Sequence, residues 1–217
     1  MYFNVSLGYV RSLASWKPFT IPSKDGLPAL SGVHFTTELT EGGIALVAEV
    51  TDRYRIVRRS DIIGTKLVSV LTAGDDEANL DLIIPMDLIV QFVAATKTEK
   101  YPATIGVKVT TDDYNVTLEG AGSSVTGILI GGRFPKIGSL LETWLINDKP
   151  LVVTGFDVNK IADFTKLVSP SDGKKYSAGW RFEQGRSQTE GKSGSYRLSN
   201  KDDESLKALL MPLFSGF

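Results

Sequence analysis

The apolar positions of the chain fall into short runs whose period switches between two and about 3.6 residues, and the same switches recur three times. Tyr2 to Leu7 alternates as a strand does. Tyr9, Val10, Leu13 and Trp16 then fall at helical spacing, in a segment closed by Pro18. Three strand patterns follow, Gly32 to Glu38, Ile44 to Val50 and Tyr54 to Arg59, with Glu41-Gly42-Gly43 as a turn signal. The order restarts at Leu80 to Ile84. Pro85 suits the first turn of a helix, where its missing N–H costs nothing, and Met86, Ile89, Phe92 and Val93 form an apolar stripe. Thr104 to Thr110, Tyr114 to Glu119 and Ser124 to Ile130 are its three strands. The third pass runs from Leu151 to Thr154, through Asp157 as an N-cap, to a helix carrying Val158, Ile161, Phe164 and Leu167. Its strands are Ala178 to Gln184, Ser195 to Leu198 and Leu206 to Leu213.

The pattern predicts an α+β protein built from three copies of strand, short helix and three strands. No copy can bury both its helix stripe and its strand face alone, so short helices on one face of curved antiparallel sheets is the expected layering. Between the second and third copies lies "GGRFPKIGSLLETWLINDKP". Gly131-Gly132 and Pro135 break the sheet there, and the apolar content predicts an ordered linker. A boundary near residue 144 divides a two-unit domain, 1–143, from a one-unit portion, 144–217.

Composition narrows the function more than the fold. With 217 residues, 42% hydrophobic and 23% charged, the chain has enough length for one large domain or two modest ones. No apolar run approaches the roughly 20 residues that cross a bilayer, and the N-terminus lacks a signal-peptide layout, so a cytoplasmic protein that avoids membranes is expected. The absence of cysteine excludes disulfides, thiolate metal sites and cysteine nucleophiles. His34 is the one histidine, and its alternation with Val33 and Phe35 turns it to the other side of a strand. There is no G-x-S-x-G elbow. "GAGSSVTG" lacks dinucleotide-loop spacing, and "DGKKYS" lacks the glycine that a Walker A loop requires. The clusters Asp75-Asp76-Glu77 and Asp202-Asp203-Glu204 lack calcium-loop spacing and read as solvated loops. No enzyme, metal or cofactor is expected. The net charge of −1 says little as a total, because basic and acidic faces can cancel. Lysines and arginines do recur on and just after the helices.

Two stretches remain unusual. Glu49 to Ser60, "EVTDRYRIVRRS", puts four arginines into one hairpin, and "LLMPLF", Leu209 to Phe214, is a strongly apolar run. Together with "LPALSGVHF" (Leu27 to Phe35) and "GGRFPKIGSLL", they resemble four motifs of the bacterial DNA polymerase III beta sliding clamp family, in the family's order. These motifs are Leu-Pro-x-Leu-x-Gly-Val, Ala-Thr-Asp-Gly-His-Arg-Leu, Gly-x-Phe-Pro and a C-terminal Met-Pro. The resemblance covers the family's middle and last domains, in a shortened form such as a phage encodes.

The resemblance implies a DNA clamp fold and a polymerase processivity factor: an oligomeric ring that encircles double-stranded DNA without reading its sequence. It implies DNA-facing cations at Arg11, Lys17, Lys97, Lys100, Lys160 and Lys166, with Lys24 in a basic loop. It also implies one hydrophobic pocket for peptides of DNA polymerase and clamp loader. Carried over by motif, that pocket comprises Leu30, Thr51, Arg53, Tyr54, Arg55, Ile56, Pro135, Leu140, Leu209, Met211, Pro212 and Leu213, with Arg53 or Arg55 holding a peptide's polar groups. Arg53 and Tyr54 replace the family's glycine and histidine, which makes the pocket bulkier and more basic. A ring of about twelve units, at three per chain, makes a homo-tetramer the favoured assembly and a trimer the alternative. Two other readings stay open: a clamp-like decoy that binds replication proteins without encircling DNA, and a β-rich phage structural protein.

Overall fold

Ser6 sets the first junction. Its hydroxyl accepts a hydrogen bond from the N–H of Tyr9 at 3.0 Å, which ends strand β1 (Tyr2–Ser6) and starts helix α1 (Leu7–Ala14). The computed structural model describes residues 2–22, 24, 27–72, 80–100, 105–142, 144, 156–176, 179–186 and 194–212. Strands β2 (Gly32–Thr40), β3 (Gly43–Thr51) and β4 (Arg55–Ile62) complete the first unit. After β5 (Val68–Thr72), the second unit comprises β6 (Asp81–Pro85), α2 (Met86–Ala95), β7 (Gly106–Thr111), β8 (Asn115–Gly120) and β9 (Ser123–Ile128). A linker with the short helix α3 (Gly138–Glu142) leads to α4 (Val158–Ala162), β10 (Trp180–Gln184), β11 (Tyr196–Asn200) and β12 (Asp203–Leu210). No helix of the described residues is long and apolar enough to cross a membrane.

The first two units are interlocked by strand exchange. β1 leaves its own unit and pairs with β7, giving a five-stranded sheet β5-β1-β7-β8-β9, while β6 crosses the other way and pairs with β2. The helices α1 and α2 pack on each other beneath the sheets. Phe3, Tyr9, Leu13, Trp16, Phe35, Ile89 and Phe92 fill the core between them. Burying a side chain of this size contributes roughly 1.5–3 kcal/mol, and neither unit could bury its own stripe without the other.

The third unit is not a separate sheet. β12 pairs antiparallel with β4, from Leu206 opposite Arg59 to Leu210 opposite Arg55, so one seven-stranded sheet β10-β11-β12-β4-β3-β2-β6 runs across residue 144. Its inward face, with Phe35, Ala48, Val57, Ala208 and Leu198, joins the main core. Its outward face carries His34, Glu49, Ile56, Arg58, Ile83 and Leu209, the alternate positions on the same strands.

Several expectations change in detail. β5 was not expected; it extends the five-stranded sheet by pairing with β1. Asp157 does cap α4, accepting from Asn159 N–H at 2.9 Å, but the helix tightens to a 3₁₀ turn over Asp163–Lys166. The final strand spans Asp203–Leu210 rather than Leu206 to Leu213. The predicted strand at Leu151 to Thr154 lies outside the described residues.

Asp203 does not behave as a solvated loop residue. It accepts from Arg59 Nη1 at 2.6 Å, from Ser205 Oγ at 2.6 Å and from the Tyr176 hydroxyl. Arg59 also donates to Asp61 at 2.9 Å, and its guanidinium sits 5.9 Å from the Tyr9 ring centroid. Burial pushes the Asp61 carboxyl up, with Arg59 opposing. Burial would push Asp203 up as well, but the Arg59 charge and the hydrogen bonds from Ser205, Tyr176 and Arg59 outweigh it and hold it low. Removing the cation would leave two buried acids facing each other. Arg59→Ala should therefore cost about 3–5 kcal/mol of stability, measured as a shift in the urea unfolding midpoint.

Candidate peptide-docking site

The β3–β4 turn is made by its own side chains. Asp52 Oδ1 accepts from the N–H groups of Tyr54 and Arg55 at 3.0 and 2.8 Å, and Thr51 Oγ1 donates to the Arg55 carbonyl at 2.8 Å. Arg53 sits at φ +77°, the left-handed region that a side chain enters at roughly 1–2 kcal/mol. A glycine, which the resembling motif carries, enters it freely. Thr111-Asp112-Asp113-Tyr114 builds a related turn, with Asp112 Oδ1 accepting from Tyr114 and Asn115 N–H at 2.9 and 2.6 Å. The recurrence of Thr-Asp-x-Tyr was legible in the sequence. It marks part of "TDRYR" as hairpin chemistry rather than ligand chemistry.

Arg55 is committed to partners within the chain rather than to the outward face. It points to the inward face, 3% exposed, and every guanidinium nitrogen is engaged. Nε and Nη2 donate to Asp52 at 3.0 and 2.8 Å, Nη2 to the Pro18 carbonyl at 2.6 Å, and Nη1 to the Lys160 carbonyl and Asp163 at 3.0 and 2.6 Å. The guanidinium also covers the Phe19 ring at 4.5 Å. One side chain thereby ties the turn, the segment after α1 and helix α4 together. Burial would raise both Asp52 and Asp163, but the hydrogen bonds and charges of Arg55 and the nearby lysines hold both carboxyls low.

On the opposite, outward face, the motifs do converge. Leu30, Ile56 and Leu209 lie in one buried apolar cluster with Ile83, Phe134 and Ile137. Leu209 sits opposite Ile56, and the N–H of Met211 donates to the Tyr54 carbonyl at 2.8 Å, which extends the ladder past β12. Thr51 and Pro212 are buried, and Met211 is half-buried. Arg53, Tyr54, Pro135 and Leu140 are exposed, with Tyr54 at 51% and Leu140 at 46%. The predicted set thus splits into a packed floor, an exposed rim, and Arg55 on the far side of the sheet. Leu213 lies outside the described residues.

Beside the apolar floor runs a polar row that the sequence did not announce. Arg58 donates to Glu49 at 3.0 Å and to Glu38, and Glu49 reaches His34 Nδ1 at 3.4 Å, while His34 Nε2 lies 2.9 Å from Asp81. The linker crosses this row. Phe134 stacks on the His34 ring at 4.5 Å, and Gly138 passes so close to Arg58 that a Cβ would clash with Nη1. A cavity of about 400 Å³ remains between linker and sheet, bordered by His34, Glu38, Arg58, Asp81, Arg133 and Lys136. The outward-facing arginine of the "RIVRRS" stretch therefore belongs to the linker seat.

The predicted DNA-facing cations divide as well. Lys24, Lys97 and Lys100 are exposed and form no ion pair among the described residues. Lys17 pairs with Asp87 at 2.9 Å and Lys166 with Asp163 at 2.6 Å, both at exposed positions. Arg11 donates to the carbonyls of Thr96 and Glu99 at 2.6 and 3.0 Å, capping the end of α2. Lys160 lies 3.0 Å from Asp52 and 4.5 Å over the Tyr54 ring, so it joins the rim of the turn rather than a bare helix face.

His34 gives this face a pH signature. Burial opposes its protonation, but hydrogen bonds to Glu49 and Asp81, together with their charges, outweigh burial and raise its pKa. A histidine raised above its unfolded value of about 6.5 adds stability that is complete below that value and is lost as pH rises through the folded one. Urea midpoints measured on both sides of this window should fall with rising pH, and His34→Gln should flatten that dependence.

No protein-family model and no curated protein sequence matches the chain. Solved structures do. The beta clamp of Helicobacter pylori bound to a DNA ligase peptide superimposes with a TM-score of 0.67 at 10% identity, over 99% of this chain and 66% of that one. The Bartonella birtlesii sliding clamp, DNA polymerase III subunit beta, bound to griselimycin, gives 0.65 at 15% identity, over 99% and 66%. The Caulobacter crescentus beta sliding clamp gives 0.60 at 15% identity, over 99% and 65%. The chain therefore spans just under two thirds of each of these clamps. With interleaved units, helices beneath antiparallel sheets and a sheet shared between the first and third units, its fold is the α+β fold of the bacterial beta sliding clamps.

Proposed function

We propose that the chain is the subunit of a DNA sliding clamp, a non-enzymatic processivity factor that encircles duplex DNA as a homo-oligomeric ring in the cytoplasm and docks replication-protein peptides on its outward face. The observation that carries this reading is the meeting of four sequence-distant motifs around Leu30, Ile56 and Leu209, with Tyr54, Pro135, Leu140 and Met211 as an accessible rim. An apolar floor with a polarisable methionine and a tyrosine edge suits the hydrophobic residues of a short linear peptide. Affinity near micromolar, about 8 kcal/mol, fits partners that must exchange. Lys24, Lys97 and Lys100 are the cations best placed for loose phosphate contact, and a topological link needs no tight ones. At three units per chain, four copies make the ring; a two-unit domain, 1–143, and a one-unit portion, 144–217, describe each copy.

The test of encirclement is topological. The protein, loaded on nicked circular plasmid with its polymerase and loader present, should be retained through gel filtration and released when the plasmid is linearised; equal retention on both forms would end the clamp reading and favour a decoy or structural role. The docking site is read separately. Leu140→Ala with Met211→Ala should weaken binding of a polymerase-derived peptide by about 2 kcal/mol or more, and unchanged calorimetric binding would remove the rim from the site.

A further inference from the structure

The linker lies across the outward face as a strap fastened at two points. The Phe134 ring stacks on His34 of β2, with centroids 4.5 Å apart and planes inclined by 20°. Further along, the Trp144 ring lies 4.4 Å from the Arg197 guanidinium of β11, and its indole N–H donates to the Ser195 carbonyl at 3.3 Å. Arg197 is itself held by Glu183 at 2.8 Å. Between these fasteners the strap is less closely seated. Cavities of about 400 and 360 Å³ remain between linker and sheet, both bordered by Glu38 and Arg58. Leu140 of α3, in the same stretch, is exposed on the docking rim.

The two fasteners differ in one respect: an arginine stays charged at every ordinary pH, and a histidine does not. Both ring nitrogens of His34 face carboxylates, Nδ1 lying 3.4 Å from Glu49 of β3 and Nε2 2.9 Å from Asp81 of β6. Only the imidazolium has an N–H for each. A neutral ring donates once and turns a lone pair toward the other carboxylate. Glu49 is buried and held by Arg58 of β4 at 3.0 Å, and Arg58 also reaches Glu38, whereas Asp81 is exposed. On the linker side, Arg133 and Lys136 border the same cavity as His34. Loss of the proton therefore frees the ring from one of its two carboxylates and removes the positive charge that attracts the Phe134 face. Phe134 and Ile137 belong to the apolar floor with Leu30, Ile56 and Leu209, so the ring that His34 supports is part of the docking site.

We propose that His34 is a positioning residue of the docking site: its imidazolium holds Phe134, and through Phe134 the linker, in the seat that presents Pro135 and Leu140 to a peptide, and docking weakens as the proton leaves. Peptide and proton then favour the same seated linker, so each promotes binding of the other. This regulation rests on the docking reading of the outward face and adds the condition under which that face binds. It requires no contact between His34 and the peptide.

Two measurements on the full chain test it. His34 is the one histidine, so its ring protons identify themselves in a proton NMR titration. Nuclear Overhauser contacts between the His34 and Phe134 rings should be present with the imidazolium and lost with the neutral ring; contacts unchanged through the titration overturn the proposal. In calorimetry, a capped polymerase-derived peptide without histidine should bind about fivefold or more weakly at about pH 9 than at about pH 6. His34→Gln and Phe134→Leu should each bind it equally at both values, with the affinity of His34→Gln matching the weaker one of wild type. Asp61, whose carboxyl burial pushes up, lies on the inward face and is kept in both variants, so its titration is separated from that of His34. Wild-type binding that is equal at both values ends the role of His34 and leaves the docking reading standing. A wild type that binds the peptide at neither value ends the docking reading, and the role of His34 with it.

Discussion

The ladder between β4 and β12 is the contact on which the rest of the structure depends. It is five residue pairs long, yet it fixes both faces of the seven-stranded sheet at once. On the outward side it sets Leu209 beside Ile56 and completes the apolar floor under the linker. On the inward side it brings Asp203 to Arg59, while α4 of the same unit comes to Arg55. Because side chains alternate with a period of two, a slip of one residue would turn Leu209 inward and break these assignments together.

Charge enforces the same register. Three of the four arginines between Glu49 and Ser60 are buried, and each has its own acids: Arg55 with Asp52 and Asp163, Arg58 with Glu49 and Glu38, Arg59 with Asp61 and Asp203. Buried pairs of this kind add little net stability, since desolvation consumes most of the Coulombic gain. Their effect is selective. Arg55 and Arg59 take partners from the third unit, so docking that unit anywhere else would leave two buried cations without their full set of carboxylates. The arginine load that makes the stretch look like a nucleic-acid contact is what seats one unit on the other.

The outward face follows a different logic. Its floor is apolar and packed, its rim is exposed, and a linker pinned by Phe134 and Ile137 crosses between the floor and the His34–Glu49–Arg58 row. Gly138 suits that crossing, because a side chain there would meet the Arg58 guanidinium and displace it from its position beside Glu49. The proposed docking surface is thus a by-product of how the sheet is covered: the linker closes part of the outward face and leaves Tyr54, Leu140 and Met211 at its border.

The sequence by itself determined the units. Alternation and helical spacing placed the helices and most strands of all three, and the order of four short motifs pointed to the clamp fold, because local periodicity and turn chemistry are written in neighbouring residues. It did not determine partners. β5 lies outside the repeating order, and Asp203 reads as loop because its cation is far away in sequence. Arg55 reads as a ligand contact by motif alone, because nothing in "TDRYR" reveals which side of the sheet alternate residues face. Those decisions belong to the tertiary structure: strand exchange between units, the β4–β12 ladder and the linker crossing join segments far apart in the chain, and only their packing fixes which face each residue meets and which charge it must neutralise.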